Sequence, residues 1–176
     1  MIAENLRERL ARIRLVILDN DGVLTDGRIV YGDYGDELKF YDIQDGMGLV
    51  LLRKASIPTV IISGRKSRVT VRRAKEMNVA KVYQNVRDKK GAFAKVCGKF
   101  RVKPEEVLFI GDDLVDLPIM TRCGFAAAVE NAVPEVKERA HYVTERRGGR
   151  GAVREVTDLL LKAQGRWEEL VAGYVS

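Results

Sequence analysis

Three short blocks, Leu15 to Leu18, Thr59 to Ile62 and Val107 to Ile110, are almost purely apolar and stop abruptly at polar residues or glycine. Continuous apolar runs of this length, closed by turn residues, predict buried parallel strands. Between and around them the pattern turns helical. Leu6, Leu10 and Ile13 fall at i, i+4 and i+7, and Met47, Val50 and Leu51 at i, i+3 and i+4. A basic helix over 67–77 carries Val69, Val71 and Met77, and another, led by Lys89, Lys90 and Gly91, carries Phe93, Val96, Cys97 and Phe100. Asp45-Gly46 opens the helix that holds Met47, with Asp45 as its expected N-cap. Weaker strands are expected at Val82 to Gln84, at Ala126 to Val129 and, as a last edge, at Tyr142-Val143. A short helix around Val136, a longer one from Val153 to Ala163, and a weak one after Arg166 complete the chain. Residues 146–151, Arg-Arg-Gly-Gly-Arg-Gly, read as loop.

Strands alternating with helices at this spacing predict an α/β fold, a doubly wound, Rossmann-like parallel sheet. One domain over 1–176 is expected. One segment, about 27–42, breaks the alternation. Ile29 to Tyr31 and Leu38 to Tyr41 flank Gly-Asp-Tyr-Gly and predict a β-hairpin in place of a simple crossover, with no large cap domain. Such an insertion lies over the end of the sheet or offers strand edges to another subunit.

Composition narrows the function classes. The 176 residues are 46% apolar and 32% charged, ordinary for a globular protein. No apolar run approaches the roughly 20 residues of a membrane span. The first ten residues mix acids and bases and lack the apolar stretch of a secretory signal, so a cytoplasmic location is expected. Cys97 and Cys123 stand far apart and form no zinc or disulfide pattern. The net charge of +6 is spread over helices and loops without interleaved aromatics. That argues against nucleic acid as a partner and leaves a solvated surface, or a positive field that attracts a small anion.

The chemistry collects at the strand ends, where open α/β sheets bind ligands. The first strand gives Asp19 and Asp21, with Gly22 allowing the turn. The second gives Ser63, Gly64 and Arg65. The third gives Asp112, Asp113 and nearby Asp116. Carboxylates gathered this closely need a cation, and a chain with one histidine and no cysteine pair offers an all-oxygen ligand set, which suits Mg²⁺. Carboxylates, Mg²⁺, a hydroxyl-bearing Gly-Arg turn and an isolated lysine are the parts of a phosphoryl-transfer site. An Asp can attack phosphorus, a second can donate a proton to the leaving alcohol, and Ser63 and Lys89 can hold phosphate oxygens. Taken singly these residues have plainer readings: Asp112, Asp113 and Asp116 as a helix start, Ser63 as a cap, Arg146, Arg147 and Arg150 as a solvated loop, His141 as structural, Trp167 as a guess at an interface anchor.

Asp-Asn-Asp-Gly-Val-Leu-Thr-Asp-Gly, Ile-Ile-Ser-Gly-Arg, Lys89 and Gly-Asp-Asp-Leu-Val-Asp, in this order, resemble the four motifs of the haloacid-dehalogenase-like phosphatases. The hairpin with the segment Asp-Glu-Leu-Lys-Phe-Tyr-Asp-Ile-Gln-Asp-Gly-Met-Gly, and Gly-Gly-Arg-Gly-Ala-Val-Arg-Glu at 148–155, resemble more narrowly the 3-deoxy-D-manno-octulosonate 8-phosphate (KDO 8-phosphate) phosphatase family. The resemblance covers nearly the whole chain. It implies Asp19 as nucleophile and Mg²⁺ ligand, Asp21 as general acid and base that binds Mg²⁺ through its carbonyl, and Asp112 as a further ligand. It implies Asp113 and Asp116 in support, and Ser63, Gly64 and Lys89 on phosphate. Arg65 and Arg73 are expected at the sugar acid, and Asp42, Asp45 and Gly46 along its pocket. It also implies a homotetramer in which the hairpins assemble a barrel-like core and the Gly-Arg-Gly segment can reach a neighbour's site. Two other readings stay open: a nonulosonate 9-phosphate phosphatase, and a non-catalytic regulatory module. Asn20 departs from the pattern, which has an apolar residue between the two acids; its amide can reach a water or a neighbouring loop.

Overall fold

The computed structural model describes residues 4–175. Its strands are β1 (Leu15–Leu18), β2 (Val30–Tyr31), β3 (Glu37–Leu38), β4 (Thr59–Ile62), β5 (Lys81–Tyr83), β6 (Val107–Gly111), β7 (Phe125–Ala128) and β8 (Tyr142–Val143). Its helices are α1 (Glu4–Ala11), α2 (Ile43–Lys54), α3 (Arg68–Glu76), α4 (Lys89–Phe100), α5 (Leu117–Met120), α6 (Pro134–Lys137), α7 (Ala152–Ala163) and α8 (Trp167–Ala172). Six strands form one parallel sheet in the order β5-β4-β1-β6-β7-β8. Strand β1 lies between β4 and β6, with Leu18 opposite both Ile61 and Ile110. The chain leaves β1 toward β4 on one side and later returns to β6 on the other. The cleft of the sheet therefore opens at the carboxyl end of β1, beside the two acids that follow it.

Every residue of β1, β4, β6 and β7 is buried, because helices cover both faces. That is why these strands read as continuous apolar runs rather than as alternating ones. Helix α7 packs on α2 and α1, and α4 packs on α5. Gln164, the C-cap of α7, donates to the carbonyls of Leu10 and Ile13 at 3.0 and 2.8 Å and so fastens the last long helix to the first.

Four local expectations are corrected. Helix α2 begins at Ile43 and its N-cap is Asp42, which accepts from Gln44 N at 2.7 Å; Asp45 lies inside the first turn. The buried face of α2 is Gly46, Gly48, Leu49, Leu51 and Leu52, with Met47 and Val50 only half-buried. Gly48 lets α7 come close: a Cβ there would lie 2.4 Å from Thr157 Oγ1, which would have to turn aside, and 3.3 Å from the backbone of α7 at Arg154 Cα. On α3 the buried residues are Thr70 and Ala74, followed by Met77, whereas Val71 is half exposed. The hairpin is shorter than predicted, β2 pairing with β3 through Val30 and Leu38, and Tyr41 forms a separate bridge with Thr25. His141 is structural, accepting from Ala126 N at 2.9 Å and stacking on Phe125. Trp167 packs against the body of the molecule, with Lys162 over its ring.

Candidate active site

The acid turn begins where β1 ends. Gly22 adopts φ +95°, a conformation that strains any other residue, and a Cβ on it would lie 2.0 Å from the tip of the Asp112 side chain, at Oδ2. Buried Thr25 closes the turn: its Oγ1 accepts from Gly22 N and Gly27 N, each at 3.3 Å. This brings Asp19, Asp112 and Asp116 together, one carboxylate oxygen from each lying within 4.8 Å of the others. Lys89, in the first turn of α4, reaches in from the far side and donates to Asp19 Oδ1 at 2.9 Å and to Asp116 Oδ1 at 2.5 Å. Asp116 Oδ2 accepts from the backbone N–H of Asp112 at 2.9 Å and of Asp113 at 3.3 Å.

Three carboxylates thus cluster beside one ammonium, which bonds two of them, Asp19 and Asp116. Burial, and then the shortage of positive charge, raises the proton affinities of Asp112 and Asp19. Burial, and then the charges of Asp19, Asp116 and Asp113, push Asp112 up to about 8. Asp19 rises to about 6, burial outweighing the attraction of Lys89. Lys89 is itself raised, its two carboxylate partners outweighing its burial. A divalent cation would supply the missing charge, and an all-carboxylate donor set fits Mg²⁺.

Residues 53–155 match the family model described as haloacid dehalogenase-like hydrolase. The 3-deoxy-D-manno-octulosonate 8-phosphate phosphatase of Yersinia pestis is 42% identical over 167 residues, spanning 95% of this chain and 89% of that one. Its crystal structure superposes with a TM-score of 0.93, covering 95% and 90% of the two chains. This chain belongs to the KDO 8-phosphate phosphatase family of haloacid dehalogenase-like hydrolases. The family's Moraxella catarrhalis structure, a complex with magnesium, phosphate and KDO, has a TM-score of 0.95 at 36% identity and covers 99% of both chains. A cobalt-bound member from Haemophilus influenzae has a TM-score of 0.91 at 35% identity, covering 96% of this chain and 99% of that one.

Within this phosphatase family framework the other predicted site residues divide. Asp21 lies beside the cluster without joining it, its Oδ1 accepting from Asn20 Nδ2 at 3.0 Å and from Lys39 Nζ. Ser63 is buried at the end of β4, and its hydroxyl accepts from Arg65 N at 3.2 Å; Gly64 is exposed beside it. Arg65 donates to Tyr31 Oη at 2.9 Å and Glu37 Oε1 at 3.2 Å, tying the hairpin to the β4–α3 turn. Asp113 is exposed and caps Leu114 N at 2.7 Å; its carboxylate stays outside the cluster of three, and its charge reaches Asp112. Arg73 lies over Gly46, pairs with Glu76 at 3.2 Å and donates to the carbonyl of the α2 cap Asp42, bracing α3 on α2. Asp45 is fully buried and accepts from Gly151 N at 3.2 Å and Arg154 N at 2.8 Å: it holds the start of α7.

Sequence reasoning missed Thr25, Lys39, Tyr41 and Asn131. Asn131, just after β7, donates to Gly22 O at 3.2 Å and accepts from Gly148 N at 2.6 Å. Its place after a strand end was the available clue. Gly148 and Gly149 consequently sit buried on the chain's own acid turn, whereas Arg146, Arg147 and Arg150 are exposed.

Proposed function

We propose that this enzyme hydrolyses KDO 8-phosphate to KDO and phosphate through an aspartyl-phosphate on Asp19. The observation that carries the reading is the cluster of Asp19, Asp112 and Asp116 around a single lysine, with Asp21 beside it, in a member of this family. The Asp19 carboxylate attacks phosphorus as the bond to the ester oxygen breaks, and that oxygen takes the proton of Asp21 and leaves as the sugar alcohol. Asp21, now a carboxylate, takes a proton from water as the water oxygen bonds to phosphorus and the bond to Asp19 breaks. Lys89 and Ser63 stabilise the phosphoryl oxygens. When bound, Mg²⁺ held by Asp19, Asp112 and the carbonyl of Asp21, with Asp116 in support, offsets the carboxylate charge and that of the phosphoryl oxygens.

A cleft of about 670 Å³ lined by Tyr31, Glu37, Arg65, Lys66, Ser67 and Arg68 offers the cations for the sugar acid's carboxylate. Its wall residue Glu37 is 3.6 Å from Lys39, which contacts Asp21. The hairpin leaves Tyr31, Tyr34, Leu38 and Phe40 exposed, with Ile43 beyond them, and this apolar set supports assembly of copies through the hairpin, as in a homotetramer. No helix among the described residues is long and apolar enough to cross a membrane. Cys97 and Cys123 are free and buried, which suits a reducing compartment and supports placement in the cytoplasm.

The test is phosphate release from KDO 8-phosphate beside a nonulosonate 9-phosphate, with Mg²⁺ or with EDTA, and with Asp19→Asn as control. Release that prefers the eight-carbon acid, needs Mg²⁺ and vanishes in the variant is expected. Preference for the nine-carbon acid would replace the substrate and keep the chemistry. Substantial turnover by Asp19→Asn would remove the mechanism.

A further inference from the structure

Asn20 stands between the two acids of the turn and is completely buried. A buried primary amide is costly unless both its ends are satisfied. Here both are. Its Nδ2 donates to Asp21 Oδ1 at 3.0 Å, and its Oδ1 accepts from Tyr41 Oη at 3.2 Å. The orientation is fixed by its neighbours, because a carboxylate accepts only, so the amide must turn its NH₂ to Asp21 and its carbonyl to the tyrosine. Tyr41 Oη also lies 3.1 Å from Thr70 Oγ1. With its proton given to Asn20, it accepts from that threonine.

A second group reaches the same oxygen. The Lys39 side chain is wholly buried, and its Nζ donates to Asp21 Oδ1. Lys39 and Tyr41 are two apart on the extended segment that leaves the hairpin, which puts both on one face. The bridge from Tyr41 to Thr25 fixes that segment against the acid turn. Asn20 and Lys39 thus meet at Asp21 Oδ1, with Tyr41 behind Asn20, and nothing comparable holds Oδ2 among the contacts of the described residues.

We propose that Asn20, Lys39 and Tyr41 form a clamp that holds Asp21 by Oδ1, so that Oδ2 is the oxygen that carries the proton to the leaving group and takes one from water. A proton on Oδ1 would point at two N–H donors, so the protonated acid keeps it on Oδ2. The clamp also removes the carboxyl's freedom to rotate, which is what a general acid needs in order to meet the ester oxygen at hydrogen-bonding distance. Asn20, Lys39 and Tyr41 are positioning residues, acting through Asp21. The inference rests on the assignment of Asp21 as general acid made above. It explains why an amide occupies a place where an apolar residue was expected: an apolar side chain would leave Tyr41 Oη with Thr70 alone and Asp21 Oδ1 with Lys39 alone.

Leaving-group chemistry separates this role from a structural one. An alkyl ester such as KDO 8-phosphate needs a proton on the departing oxygen, whereas 4-nitrophenyl phosphate releases a stable phenolate without help. The measurement is kcat/KM, which covers the steps through departure of the leaving group, for both substrates, in the wild type, Asp21→Asn, Asn20→Leu, Tyr41→Phe and the double variant of the last two. Asn20→Leu should lower kcat/KM for KDO 8-phosphate by about tenfold or more, a part of the 10²- to 10⁴-fold a general acid supplies, and change the aryl phosphate by less than about threefold. Tyr41→Phe should show a smaller loss with the same selectivity. The double variant should be no worse than Asn20→Leu, because the two act in one chain.

An equal loss on both substrates in Asn20→Leu would overturn the clamp as a merely structural contact. Selectivity in Asp21→Asn, with none in Asn20→Leu or Tyr41→Phe, would overturn it and leave Asp21 as the acid. Equal loss on both substrates in Asp21→Asn would remove the general-acid assignment itself and the clamp with it. Where Asn20→Leu does not fold, Tyr41→Phe, which deletes one oxygen, decides: a selective loss supports the clamp and an unchanged ratio overturns it.

Discussion

Replacing Gly148 by Ala should be among the most damaging single-methyl additions in the molecule. A Cβ there would lie 1.7 Å from Gly22 O and 3.2 Å from Val23 Cα, backbone atoms that cannot rotate away. The 147–150 loop must therefore retreat from the acid turn by roughly 1.3 Å to reach the tightest contact real Cβ atoms make. Three hydrogen bonds cross that seam: Gly148 N to Asn131 Oδ1, Asn131 Nδ2 to Gly22 O, and Gly149 N to Val23 O at 2.9 Å. Overpacking at about 1–3 kcal/mol, with one or two of these bonds lost at about 1 kcal/mol each, gives a destabilisation of about 2–5 kcal/mol. Gly148 is not among the residues with positive φ, so backbone strain plays no part. The same substitution at Gly98, inside α4 with open space around the added methyl, should stabilise by up to about 1 kcal/mol. Urea unfolding of both variants reads the difference. Turnover should fall in Gly148→Ala as well, because Gly22 also abuts Asp112. A cost below about 1 kcal/mol, with full activity, would refute the claim that this loop braces the acid turn.

Three further outcomes are expected. Burial raises Asp45 to about 6 from 3.8, so between these values the folded protein keeps a proton that the unfolded chain has released. Stability falls as pH rises through that window, by about 3 kcal/mol in all. Asp45→Asn should flatten this part of the pH profile in urea melts, and an unchanged slope would rule Asp45 out as its source. Mg²⁺ should raise the melting temperature, a ligand at 100 times its Kd adding about 2.7 kcal/mol; the rise should vanish in Asp112→Asn, and a full rise there would place the ion elsewhere. Leu38→Lys, at a half-exposed hairpin position, should reduce the assembled mass in light scattering, and an unaltered mass would remove the hairpin face as a contact.

The central sheet was legible because its strands are buried on both faces, and continuous apolar runs need no tertiary information to be read. The acids at the ends of β1 and β6 were legible for the same reason, as each follows a run that stops. What escaped were contacts between distant segments. Asp42 and Asp45 are equally good caps by residue type; the choice is made by α7, whose first N–H groups claim Asp45 across more than a hundred residues. Periodicity misplaced the inner face of α2 because it weighs apolar side chains, and two glycines at the contact carry none. Lys39 and Tyr41 lie in the predicted second strand of the hairpin, and nothing local shows that their partners are Asp21 and Asn20, 18 and 21 positions earlier. Lys89 was readable as an isolated cation only through the family pattern, and its bonds to Asp19 and Asp116 depend on sheet order.

The fastening of α7 to α2 and α1 bears on the order in which this protein can become whole. A ribosome delivers β1, the acid turn and α2 long before residues 152–163. Until those arrive, the glycine-lined face of α2 stays bare, Asp45 is an acid without donors, and the carbonyls of Leu10 and Ile13 wait for Gln164. Closing such long loops is costly and is repaid only when the last partner docks. A nascent chain halted before residue 150 should therefore hold its strands as a loose, chaperone-dependent intermediate, and the reactive turn should settle only at the end of synthesis.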